Sequence, residues 1–295
     1  MRRLLKWAAY GLGGVVGLAA TAAVAGLAAS EVMLRLPAQK PAIATVASSG
    51  PDAVARGRGV AVVQGCTDCH GANLQGRMVD DIPGVVRLYA PNLTLVAAKQ
   101  SDVNLDRAIR HGVGADGRAL WVMPSSTFAH LTNAETADLI AYLHSLPEQG
   151  PAQPRFQVGP IGRIGVLIGQ FKSEPAIIKA HENPALPDLG AQYAAGREIA
   201  RACVECHGPA LKGGGGTLKT PDLTIAAAAY DPEDFERLLH TGVAAGGRQV
   251  GVMSASARIR FASLTPVEVA DLHAYLKARA AHEIATAGTT PLSNP

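Results

Sequence analysis

Cys66-Thr67-Asp68-Cys69-His70 and Cys203-Val204-Glu205-Cys206-His207 are two copies of one five-residue pattern, and they hold all four cysteines of the 295-residue chain. Cys-x-x-Cys-His puts two thiols one helical turn apart with a histidine directly behind them. That is the spacing that attaches c-type haem, the thiols adding to the two porphyrin vinyl groups while the imidazole reaches the iron. A zinc half-site and a thioredoxin-like redox pair share part of the pattern. Zinc needs four ligands, usually from pairs about 15 to 20 residues apart, whereas well over a hundred residues separate these pairs. A redox pair needs no histidine after it. Gly71 and Gly208 follow the two histidines, so the repeat runs past the motif. The pattern predicts two covalently bound haem c groups.

The surrounding sequence repeats in the same order. Gly59 and Gly196, like Cys66 and Cys203, are offset by 137; Pro91-Asn92-Leu93-Thr94 and Pro221-Asp222-Leu223-Thr224, like Met123 and Met253, by 130; LTNAETADLIAYL and LTPVEVADLHAYL by 133. Two changes of loop length explain these offsets, and an internal duplication of about 95 residues per unit is the simplest account. Helices are expected over 53–63 before the first motif, over 101–111 with Ser101 as cap, and from Thr132 to Pro147, where Thr132 and Glu135 form a capping box. Thr265, Pro266 and Glu268 open the last helix of the second unit in the same way. Neither unit shows a run of alternating strands, so the predicted fold is all-α.

Aromatic residues make up only 4% of the chain, too few large rings for ordinary cores, a gap that one haem per unit would fill. The net charge of +3 is located at the start: residues 1–50 hold five Lys/Arg against one Asp/Glu, and residues 148–295 hold fourteen of each. The body therefore offers no basic surface suited to nucleic acid. Arg2, Arg3 and Lys6 precede an apolar run from Trp7 to Ser30. As a helix it spans roughly 35 Å, enough to cross a hydrocarbon core of about 30 Å. The early positive charge would keep the N-terminus in the cytoplasm and export the rest. Ala23-Val24-Ala25 also fits a signal-peptidase rule, but the run exceeds the apolar core of a signal peptide, so a retained anchor is expected.

These features divide the chain into an N-terminal transmembrane anchor (1–36), a tether (37–52), a first haem domain (53–147), a proline-rich linker (148–189), a second haem domain (190–283) and a tail (284–295). The linker is expected to pack across both units or onto a partner. Its apolar segment 161–171 is too short to span a bilayer and reads as a buried patch, with a docking surface for a partner or membrane face as the alternative. The glycines Gly213 to Gly216 lack the lysine and Ser/Thr of a phosphate loop and read as an ordinary loop.

Each unit resembles a class I cytochrome c domain, through its haem motif, Pro-x-Leu-Thr segment, Met loop and LTxxExADLxAYL helix. The tandem is similar to the membrane-anchored dihaem cytochrome c subunits of bacterial periplasmic alcohol- and aldehyde-type dehydrogenase complexes. The resemblance implies that Gly59 and Gly196 let the first helix of each unit pack on the last, against Tyr142 and Tyr275. It implies that the carbonyls of Pro91 and Pro221 accept the second N–H of His70 and His207. It also implies a single-pass protein of the bacterial inner membrane with haem domains in the periplasm, exchanging electrons with dehydrogenase subunits and a membrane electron acceptor or donor.

The sixth iron ligand has to come from the rest of each unit. A soft thioether favours ferrous iron and suits a carrier. Met1 and Met33 belong to the anchor, and Met78 follows its haem histidine too closely to reach the other face of the ring. Met123 and Met253 remain, one per unit, with His111, His130 and His240 as rivals. Arg107 and Arg237, at equivalent helix positions, are expected to face solvent. The insertion after Met253 carries Arg258 and Arg260, expected to favour reduced iron at the second site alone. With a ligand available for each iron, the reading is an electron carrier and not an enzyme; the alternative is a dihaem peroxidase or related oxidoreductase with one open iron.

Overall fold

The computed structural model describes residues 2–182, 184–214 and 219–287. Helix α1 (Arg2–Arg35) is followed in the first unit by α2 (Pro51–Val63), α3 (Cys66–His70), strands β1 (Arg77–Ile82) and β2 (Val86–Ala90), α4 (Leu93–Ala97), α5 (Asp102–His111), α6 (Ser125–Phe128) and α7 (Asn133–Ser145). The linker contributes β3 (Gln157–Val158), α8 (Pro160–Leu167) and α9 (Glu174–Lys179). The second unit holds α10 (Ala194–His207), α11 (Leu223–Ala226), α12 (Pro232–Thr241), the short pair β4 (Val243–Ala244) and β5 (Arg248–Gln249), α13 (Val252–Ser256), a π-helical turn (Ala257–Phe261) and α14 (Pro266–Ala287). The fold is mainly helical, as expected. Residues 284–287, read as tail, continue α14; residues 288–295, and Gly215 and Gly216 of the glycine loop, lie outside the described residues.

The caps written in the sequence form. Thr132 Oγ1 accepts from the Glu135 backbone while Glu135 Oε2 accepts from the Thr132 backbone at 2.8 Å, and Thr265 and Glu268 repeat the exchange. These boxes start α7 and α14, which pack against α2 and α10 respectively. The crossings are tight because a glycine sits at each. A Cβ on Gly196 would fall 2.0 Å from the Asp271 carbonyl oxygen and 2.9 Å from Tyr275 Cβ. In the first unit the corresponding residue is Gly57 and not Gly59: a Cβ on Gly57 would fall 1.9 Å from the Asp138 carbonyl oxygen and 2.9 Å from Tyr142 Cβ, while Gly59 has nothing within 4 Å. The correction has a local cause. Helix α10 runs unbroken through its motif, whereas Gly65, at φ 76°, separates α2 from α3 and moves the crossing back along the chain.

Neither unit shows a run of alternating strands in its sequence, yet β1, β2 and β3 form an antiparallel sheet, Arg77 to Ile82 pairing with Ala90 to Val86, and Val86 and Arg87 with Val158 and Gln157. The hairpin occupies the longer of the two loops between motif and proline: His70 and Pro91 are 21 residues apart, His207 and Pro221 only 14.

Residues 37–52 are held along the first unit like a strap. Ala38 N donates to Gly117 O at 2.9 Å, Ala47 N to Asp102 Oδ2 at 2.7 Å, Ser48 N to Ala137 O at 3.0 Å, and the Thr45 hydroxyl to Asp106. The linker touches both units: Ser126 N donates to Glu174 Oε2 at 2.7 Å, the Trp121 and Phe171 rings lie 5.4 Å apart, and the Tyr275 hydroxyl donates to Pro187 O at 3.1 Å. Its apolar segment is not a buried patch as a whole. Val166 is buried, but Ile161 and Ile164 on α8 and Ile168 just after it are exposed, beside the end of α1, where Arg163 bonds Ser30 Oγ at 3.0 Å and Glu31 at 2.6 Å.

The glycine crossings give opposite signs for neighbouring substitutions. Gly57→Ala or Gly196→Ala forces a methyl onto a backbone carbonyl and should destabilise its unit by at least ~1–3 kcal/mol. Gly59→Ala meets no atom and should be neutral or stabilise by up to ~1 kcal/mol through helix propensity. Thermal melts followed by circular dichroism distinguish the two.

Candidate haem sites

Each motif forms one helical turn with its histidine buried at the C-terminal end. No disulfide joins any of the four cysteines. Burial pushes Cys66 and Cys203 up to about 12, and also raises Cys69 and Cys206. A redox Cys-x-x-Cys needs a thiol shifted the other way, towards the thiolate. Among the described residues, no cluster of three or more His, Cys, Asp or Glu side chains could hold a metal ion, so a zinc site lacks further ligands of those types.

His70 Nδ1 lies 2.8 Å from the Pro91 carbonyl oxygen, and His207 Nδ1 lies 2.9 Å from that of Pro221. Burial pushes both imidazoles below their ordinary range, and the carbonyl bonds only partly reverse it. Each ring is therefore neutral at pH 7, with Nδ1–H donating to the carbonyl. Nε2 is left with its lone pair free for a metal.

The carbonyls are held by the segments that follow them. Asn92 caps α4 by accepting from Thr94 N at 3.0 Å, and its amide donates to Gln149 O at 2.6 Å and Pro151 O at 3.2 Å. Asp222 caps α11 by accepting from Thr224 N at 2.8 Å. The first segment is thus tied to the linker by an amide that the second does not have.

In the second unit Cys203, Cys206, His207, Pro221 and Met253 line one apolar cavity of about 450 Å³ together with Leu223, Phe235 and Phe261. In the first unit Met123 and Cys66 pack against the same core, with Leu93 and Phe128. Met78 lies exposed on β1. His240 Nε2 is 2.9 Å from the Leu264 carbonyl, and burial pushes His111 down. Arg237 faces solvent and pairs with Asp234, as expected. Arg107 does not follow: it is partly buried, and among the described residues its Nε has no hydrogen-bond partner, nor does Nε1 of buried Trp121. Buried N–H donors seldom go unpaired. The unpartnered Arg107 Nε and Trp121 Nε1 in the first unit, an apolar cavity in the second, and in each unit neutral thiols beside an imidazole with a free Nε2 fit a large apolar group with acceptor oxygens, as haem is.

The expectation for the arginines after Met253 needs correction. Arg258 is exposed and bonds Gln249 Oε1 at 3.3 Å. Arg260 is buried, lines the second cavity, and bonds Asp68 of the first motif at 2.7 Å as well as Glu205 of the second at 2.7 Å. Burial pushes its guanidinium down, and the charges of Glu205 and Asp68 more than reverse this, so it stays charged. The available signal was an acidic residue at the third position of both motifs, which asks for a shared cation.

Asn92→Ala should destabilise the first unit by ~2–3 kcal/mol, through loss of the cap and of two buried bonds. Asp222→Ala loses only a cap and should cost ~1 kcal/mol. Denaturant titration of the two variants gives the comparison; equal losses would mean that the bonds to Gln149 and Pro151 contribute nothing.

The cytochrome c family profile matches residues 54–147 and 193–280. No curated protein matches the chain. The two matched stretches are the two halves of the internal repeat, so the chain belongs to the cytochrome c family and carries two of its domains in tandem.

Proposed function

We propose that this protein is a membrane-anchored dihaem electron carrier of the bacterial periplasm, passing single electrons between a dehydrogenase partner and the membrane respiratory chain. The observation that carries the reading is the presence in each unit of a methionine, Met123 or Met253, packed into the same apolar interior as its motif. Cys66, Cys69, Cys203 and Cys206 would hold two haem groups as thioethers, with His70 and Met123 on one iron and His207 and Met253 on the other. Haem c, once attached, supplies an iron couple that takes up or gives up one electron without bond chemistry. The residues do the rest. Pro91 and Pro221 orient the imidazoles and raise their basicity; Met123 and Met253 would hold the irons and leave none open to peroxide; Phe128 and Phe261 in the cores exclude water.

The anchor belongs to the same proposal. Within the helical stretch Ala9–Arg35, 18 consecutive residues reach a mean hydropathy of 1.9, and none of those is buried. Arg163 fastens α8 to Ser30 and Glu31 near its outer end, which leaves Ile161, Ile164 and Ile168 beside the membrane interface. Trp7 and Tyr10 are exposed near the other end, where amphipathic rings sit at the head-group level.

Intact mass under denaturing, reducing conditions should show two haems retained and no free thiol. The oxidised protein should have two low-spin irons that bind neither cyanide nor peroxide quickly, and Met123→Ala should open one of them only. A wild-type high-spin iron that turns over peroxide would replace the carrier reading with the peroxidase one. For the anchor, N-terminal sequencing of the membrane fraction should find residues 1–30 retained; a mature N-terminus at Gly26 would show a cleaved signal.

A further inference from the structure

The two attachment turns meet at one buried arginine. Asp68 stands between Cys66 and Cys69, and Glu205 between Cys203 and Cys206. Arg260 Nε donates to Asp68 Oδ2 at 2.7 Å and its Nη2 to Glu205 Oε2 at 2.7 Å. Gly65, immediately before Cys66, is packed on the guanidinium so closely that a Cβ there would fall 2.4 Å from Arg260 Cζ. The same side chain lines the cavity that contains His207 and Met253. Arg260 exists where it does because the longer connection after Met253 winds into the π-helical turn Ala257–Phe261, and π-turns recur at functional sites. The units have other fastenings: Arg201 bonds Glu135 at 2.6 Å, and Val63 packs against the second core. Holding the two units together is therefore not left to Arg260 alone.

We propose that Arg260 is a positioning residue shared by both haem sites: by tying Asp68 to Glu205 it holds the two attachment turns side by side, so that one buried charge acts on both potentials and electrons cross between the sites within one chain. The proposal rests on the haem reading above. Each crossing oxidises one ferrous iron and reduces one ferric iron; no bond forms or breaks and no proton moves. Ferric iron carries one more positive charge than ferrous, so a fixed cation beside both turns favours the reduced state at both. Arg260 is only 6% exposed, so its field escapes most of the solvent and salt screening that weakens the exposed Arg258.

The test is a spectroelectrochemical titration of the full, haem-loaded chain at low salt. Arg260→Gln removes the cation and leaves two carboxylates, so both midpoint potentials should fall. Arg260→Lys keeps the charge and should restore most of the shift, and Arg258→Gln should move neither site. Asp68→Asn with Glu205→Gln keeps the arginine without its counter-charges and should raise both potentials. That double variant decides the matter if Arg260→Gln does not accumulate. A shift confined to the second site, no shift at either, or an equal shift from Arg258→Gln overturns the proposal. Intact mass of the wild type separates the two levels: missing haem overturns the functional reading, whereas two haems with unmoved potentials overturn only the role of Arg260.

Discussion

Two helix crossings without side chains between them determine where everything else can go. At Gly57 and at Gly196 the chain comes within contact of a carbonyl on the last helix of its unit, leaving no room for a methyl group. That contact sets the distance between the first and last helices, and the motif follows each first helix directly. The histidine then points inward because its turn continues, or nearly continues, a helix whose path is already determined. The proline carbonyl meets it from the other side. Propensity alone would disfavour glycine at a mid-helix position by about 1 kcal/mol; the close approach is what justifies it.

Much of the site could be read from residue spacing, and the reason is physical. Attachment chemistry requires two thiols and an imidazole within one turn, and helix caps require particular side chains at particular positions, so both leave short, rigid patterns. Thr132 with Glu135 and Thr265 with Glu268 are such patterns, and both form. The crossing at Gly57 was missed because a helix can break at a left-handed glycine without losing its apolar pattern, and the repeat offset then points to Gly59. The sheet was missed because Arg77 to Ile82 and Gln157 to Val158 are short, polar and far apart in sequence, and nothing local reports their pairing.

Arg260 shows the limit more sharply. Its position in an insertion after Met253 was visible, and its charge suggested an effect on the nearer site. Its actual partner Asp68 lies 192 residues away. Contacts between repeats have no register within either repeat. Only the matching acids at Asp68 and Glu205 hinted that the two motifs share one environment.

The first unit is braced on both sides by residues outside its own repeat. The strand β3, the carbonyls of Gln149 and Pro151 that anchor Asn92, and the carboxylate of Glu174 that meets Ser126 all come from beyond residue 147. The stretch matched by the family profile is thus shorter than the piece that folds. Residues up to 147 include the thiols and the imidazole of the first motif but not the neighbours that fix the proline carbonyl and the Met123 loop. The linker is therefore a cover as well as a connection: cut at residue 147, the first unit keeps its whole motif and loses the contacts that hold its proline carbonyl and its Met123 loop.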